Sequence, residues 1–234
     1  MCVIAVCEEG LSLDKETFTK CWEANYDGAG FGWIDGEEIC FSKGHMDIKS
    51  AWKAYRMIKA FPHIAHFRMT SAGSTCPELT HPFLITAESP VHLSWRGPES
   101  ILFHNGTVTG WRTLRLQLAL AIGKLPEGKA SDTRTMAQLA AILGDAILVE
   151  DTGKYATISP EGLNIWGTWD EKDGVHFSNL FWDRRYLVKS GWDKWDDKNM
   201  SNDDKKYWER WDKRANDAEN AELWGKYPNY YGGM

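Results

Sequence analysis

The run CVIAVC, residues 2–7, is the feature that most constrains what this chain can fold into. It is too short for a helix and too uniformly apolar for a strand with one wet face, and Val3, Ile4 and Val6 are β-branched. It therefore reads as a strand buried on both faces. A chain whose second residue already enters the core must build its sheet around that start. The same run sets Cys2 at the first position of a core element.

The elements that follow alternate. DKETFTKCWEAN carries Phe18, Cys21 and Trp22 at helical spacing, and YDGAGFGWIDGEEICFSKG has the Asp-Gly punctuation of a hairpin. SAWKAYRMIKAF predicts a second helix, HIAHFRMT a strand that runs into a polar loop, and SILFHNGTV a strand ending at Asn-Gly. TLRLQLALAIG and SDTRTMAQLAAILGDA predict two more helices, the second capped by Ser131 or Asp132. KYATISP, GLNIWGTWD and GVHFSNLFW, divided by Pro-Glu-Gly and Lys-Asp-Gly turns, predict a closing meander. This order gives a layered α+β domain over residues 1–188. From Lys189 charges of both signs interleave with Trp and Tyr, and Ser201 with Asp204 forms a capping box ahead of Tyr207, Trp208 and Trp211. Residues 189–234 are thus expected to form a Trp-rich helical extension.

At 234 residues the chain can bury one sizeable core, and its formal charge of -6 without a basic block argues against nucleic acid as a partner. Five cysteines, Cys2, Cys7, Cys21, Cys40 and Cys76, show neither CxxC nor Cys/His spacing, so no metal, no cofactor and no disulfide framework is expected. The first ten residues lack a positive n-region and a long apolar stretch, and no run suits a membrane span. The expected location is cytoplasmic, with reduced thiols.

Five positions offer chemistry. Cys2, once Met1 is removed, carries a thiol and an α-amine on one residue, with reference pKa values of about 8.5 and 7.7–8.0, so the amine can take the thiol proton. Read alone, Cys2 is more simply a small buried hydrophobe in the first strand. Arg68, ending a strand, suits a two-pronged pair with a carboxylate or a structural ion pair. Asn105 and Gly106 are either a plain turn or a side-chain amide beside a glycine N–H, two donors for an oxyanion. Asp132 can bind an ammonium or cap its helix. His66, His81 and His104 are irregularly spaced and read as structural hydrogen-bonding residues.

Taken in order, Met1-Cys2, NYDGAGFGW (25–33), HFRMTSAG (66–73), THPF (80–83), HNG (104–106) and SDT (131–133) resemble the class II glutamine amidotransferase domain, a member of the N-terminal nucleophile hydrolases. The resemblance covers roughly residues 2–183 and implies a four-layer αββα sandwich. It implies Cys2 as nucleophile and base through a thioester intermediate, Asn105 and Gly106 as oxyanion hole, Arg68 on the substrate α-carboxylate and Asp132 on its α-ammonium. Thr70, Ser71 and His81 would line or support the pocket. One departure is Ala24, which stands where purine-synthesis members commonly have an arginine.

The expected function is a stand-alone glutaminase that releases ammonia and glutamate, with a separate ammonia-accepting synthase as partner. Two alternatives stand beside it. One is an amidohydrolase cutting a γ-glutamyl bond in a larger metabolite. The other is a non-catalytic binding or assembly module presenting the Trp-rich helix.

Overall fold

The computed structural model describes residues 2–149 and 153–183. Strand β1 (Val3–Cys7) is buried along its whole length. Helix α1 (Lys15–Ala24) follows, capped by the Asp14 carboxylate accepting from the Thr17 N–H at 2.7 Å. The hairpin β2 (Ala29–Asp35) and β3 (Glu38–His45) turns at Gly36 and Glu37. Helix α2 (Ile48–Ile58) is capped by Asp47, and β4 (His63–Phe67) follows it. Then come β5 (Phe83–Leu84), β6 (Ser94–Gly97) and β7 (Ile101–Asn105). Helices α3 (Trp111–Ile122) and α4 (Asp132–Leu143) precede β8 (Lys154–Ser159), β9 (Gly162–Trp166), β10 (Asp170–Lys172) and β11 (Val175–Phe177).

The strands form two antiparallel sheets, one ordered β10-β11-β1-β4-β2-β3-β6 and the other β5-β7-β8-β9. Ile4, Val6, Ile39, Phe41 and Ile64 of the larger sheet share one apolar cluster with Leu84, Ile101, Phe103, Ala156 and Ile158 of the smaller. On the other side of the larger sheet, Phe18 of α1 meets Phe67 at 4.9 Å between centroids, and Trp52 and Tyr55 of α2 each at 5.0 Å. A separate cluster joins Phe83, Leu102 and Tyr155 of the smaller sheet to Trp111 of α3 and Met136, Ala137 and Ala140 of α4. Each buried strand face therefore has its own apolar partner, which is what the uniformly apolar β1 requires.

Two sequence expectations need correction. KYATISP and GLNIWGTWD pair as β8 and β9, but the third segment does not continue their sheet. It forms the β10–β11 hairpin, whose β11 pairs with β1 (Ala5 opposite Phe177). The Lys-Asp-Gly turn is present, with Asp173 and Gly174 both at positive φ (53° and 78°) as a type I′ hairpin turn needs. A turn fixes where the chain reverses, not which sheet it joins. Strands β5 and β6, too short to show a period, lie in stretches for which no strand is expected from the sequence.

These elements belong to a unit running Met1–Asn179. The Trp-rich helix expected from Lys189 onward lies outside the described residues. Among the described residues no helix is long and apolar enough to cross a membrane.

Candidate active site

Antiparallel register brings the site together. In the β1–β4 pair Val3 lies opposite Phe67, so Cys2, one step before β1, falls beside Arg68, one step after β4. The Met69 N–H donates to the Cys2 Sγ at 3.4 Å, and the thiol lies the same distance from the Met69 carbonyl oxygen. Asn179, following β11, donates from Nδ2 to the Cys2 carbonyl at 2.8 Å. Burial pushes the Cys2 thiol up, against the Met69 N–H and the nearby Arg68 guanidinium, which favour the thiolate. A buried thiol of this kind stays protonated until a base takes its proton.

Cys2 lines an open cleft together with Arg68, Ser71, His81, Gly106 and Asp132. Met69, Ala72, Leu79, His104, Ser131 and Thr133 complete the lining. Arg68 is 4% exposed, and its guanidinium donates to the Ser74 carbonyl at 3.0 Å and the Ala72 carbonyl at 3.2 Å. It thus holds the loop after β4 while facing the cleft, and three of its five N–H groups remain for other partners.

Two predicted residues stand next to the lining rather than in it. Thr70 donates its N–H to Asp27 Oδ2 at 2.8 Å and accepts from the Thr75 hydroxyl at 2.9 Å, while neighbouring Ser71 accepts from the Thr107 hydroxyl at 2.9 Å. Asn105 ends β7 and uses one amide N–H on Ser178 Oγ at 2.9 Å, an oxygen that also accepts from the Ile4 N–H. Gly106 follows it into the cleft. A Cβ there would lie 2.6 Å from His104 Nε2, so only glycine lets the backbone pass.

The choice between Ser131 and Asp132 as helix cap resolves in favour of Ser131, whose Oγ accepts from the Arg134 N–H at 3.2 Å. Asp132 instead points back to the chain after β7. Its Oδ2 accepts from the Val108 N–H at 3.2 Å and its Oδ1 from the Thr133 N–H at 2.8 Å. His81 enters through a close approach of backbones, since a Cβ on Gly30 would sit 1.9 Å from the His81 carbonyl oxygen.

No family model matches the chain, and no curated protein matches it. Among solved structures it is similar to glutamine phosphoribosylpyrophosphate (PRPP) amidotransferase from B. subtilis complexed with ADP and GMP, with a TM-score of 0.52 and 18% identity over 76% of this chain. The chain shares the fold of the matched part of that amidotransferase. At this identity the likeness concerns the fold, and the match covers 41% of that protein's chain.

Sequence reasoning missed three contributors. Ser178 and Asn179 hold Asn105, Ile4 and the Cys2 carbonyl, and their only signal was a polar Ser-Asn pair directly after an apolar strand. Thr133 was quoted within SDT but given no role; its hydroxyl lies 2.9 Å from His81 Nε2 and 3.2 Å from His104 Nδ1. Among the described residues no group of three or more His, Cys, Asp or Glu is arranged to hold a metal ion.

Proposed function

We propose that the chain is a glutamine amidohydrolase, the glutaminase half of a class II amidotransferase, working through Cys2 after Met1 is removed. The observation that carries this reading is the convergence of Cys2, Arg68, Gly106 and Asp132 on one small cleft. The helix, sheet, sheet, helix order of packing supports it, because that order is the αββα sandwich of N-terminal nucleophile hydrolases.

With Met1 attached, the Cys2 nitrogen is an amide without basicity. Its removal frees an amine on the same residue as the thiol, and the amine takes the thiol proton directly or through a water. The thiolate then attacks the side-chain carbonyl carbon of glutamine. The Gly106 N–H and the second amide hydrogen of Asn105 stabilise the oxyanion, and the ammonium of Cys2 returns its proton to the leaving nitrogen. Ammonia departs, and water attacks the thioester to release glutamate. Arg68 holds the α-carboxylate and Asp132 the α-ammonium, fixing the carbonyl against Sγ.

The test combines intact mass with an ammonia-release assay on glutamine. Active protein should lack Met1, and Cys2→Ala should abolish release while the chain still folds. Full retention of Met1 in active protein, or turnover by Cys2→Ala, overturns the mechanism.

A further inference from the structure

In and behind the wall of the cleft runs a series of buried groups of which the chemistry above uses only Asp132. His66 Nε2 lies 2.6 Å from His81 Nδ1 and 3.2 Å from the His104 carbonyl oxygen. His81 Nε2 reaches the Thr133 hydroxyl at 2.9 Å, and that hydroxyl also faces His104 Nδ1 at 3.2 Å and Asp132 Oδ1 at 3.4 Å. His66, His81, His104, Thr133 and Asp132 are all buried. They come from β4, the segment before β5, β7 and the first turn of α4, so one hydroxyl joins elements far apart in the chain.

The protons on this series can be placed. Burial, helped by the nearby Arg68 charge, pushes His66 down to about 3 and His81 well below its ordinary value, so both rings are neutral near pH 7. A carbonyl oxygen only accepts, so the His66 nitrogen facing it must carry the hydrogen. The opposite tautomer would set a bare nitrogen against a bare oxygen. It would also leave an N–H at His66 Nδ1, a buried atom with no hydrogen-bond partner, and a buried unpaired donor is costly. His66 Nε2–H is therefore shared between the His104 carbonyl and His81 Nδ1, and the latter, only 2.6 Å away, must be bare. His81 in turn carries its hydrogen on Nε2 and donates to Thr133 Oγ1. The Thr133 hydrogen is left to point at Asp132 Oδ1 or His104 Nδ1.

We propose that the Thr133 hydroxyl is a positioning group: fixed by the His81 donor, it holds His81, His104 and the Asp132 carboxylate in one arrangement and so sets the grip on the ammonium end of the substrate. The proposal rests on the glutaminase reading for its substrate, but its hydrogen-bond pattern does not. Loss of the hydroxyl should act on KM more than on kcat, because Asp132 touches the amino-acid end and not the reacting carbonyl.

The experiment compares wild type, Thr133→Val and Thr133→Ser by steady-state kinetics on glutamine and by thermal unfolding. It adds imidazole 15N NMR on Cys2→Ala protein with and without Thr133→Val. Thr133→Val should raise KM by about tenfold with kcat within about threefold, the scale of one lost hydrogen bond, and Thr133→Ser should recover most of the loss. The His81 15N pattern should be that of an Nε2–H tautomer, and should change in Thr133→Val. A wild-type KM in folded Thr133→Val, a failure of Thr133→Ser to recover a raised KM, or a His81 Nδ1–H tautomer overturns the proposal. Absence of ammonia release by wild type would overturn the functional reading, while the 15N pattern still decides the hydrogen-bond chain.

Discussion

Arg68 has two jobs in this account, and Arg68→Lys separates them. The first is structural, since the guanidinium donates to the Ala72 and Ser74 carbonyls and is 4% exposed. A hydrogen bond from a charged donor contributes roughly 1.5–3 kcal/mol, and a lysine can keep one of the two, so the variant should lose about 2 kcal/mol. For a unit of this size that lowers Tm by about 4–8 °C. The second, under the proposed function, is the grip on the substrate α-carboxylate. Loss of the two-pronged geometry should cost at least about 2 kcal/mol, or about 30-fold in kcat/KM on glutamine. A loosened loop would also slow turnover, so the assay needs a second substrate, 4-aminobutanamide, which keeps the amide and the amine but lacks the carboxylate. If Arg68 binds that carboxylate, the ratio of kcat/KM for glutamine over 4-aminobutanamide collapses in Arg68→Lys. An equal proportional loss on both substrates refutes the carboxylate contact, and an unchanged Tm refutes the loop-holding role.

Other predictions follow from single contacts. Asn105→Ala should lower kcat by about 10²–10³, the usual loss for one oxyanion donor, and a near-normal kcat in ammonia release would remove Asn105 from that role. Gly30→Ala should be strongly destabilising, by roughly 3 kcal/mol or more in urea unfolding, because the Cβ would meet the His81 carbonyl at 1.9 Å and β2 is fixed on both sides by β3 and β4. A mild effect there would mean that the His81 segment can retreat. His66, held near 3 by burial against about 6.5 in the unfolded chain, binds fewer protons folded than unfolded, so its neutral burial is free of cost above about pH 6.5 and destabilises progressively below it. From pH 6.5 to 5 this withdraws about 2 kcal/mol, and His66→Gln should make the fall of unfolding free energy with acid shallower; an unchanged slope would refute the neutral assignment.

The parts legible from the sequence were those in which residue type and local period carry the information. CVIAVC could only be a doubly buried strand, and Phe18, Cys21 and Trp22 mark the inner face of α1, where all three are buried. The Asp-Gly and Lys-Asp-Gly turns are where the chain reverses. What was not legible depends on which elements meet. SWRG has no apolar run, yet it pairs with β3 as β6, and the two residues of β5 are too few to show a period. His66, His81 and His104 were read from their irregular spacing as structural hydrogen-bonding residues, but that they meet was not legible, because spacing along the chain cannot express a contact between strands. The register of β1 with β4 sets Cys2 beside Arg68 across 66 positions of sequence, as a consequence of Val3 facing Phe67. Gly30 makes the same point from the other side. It reads as ordinary punctuation in YDGAGFGW, whereas its requirement comes from the His81 carbonyl, whose approach leaves no room for a Cβ and delivers the imidazole to Thr133. Substitutions at such positions are therefore the more telling tests of the site, since they can disturb its geometry while leaving each residue that touches substrate in place.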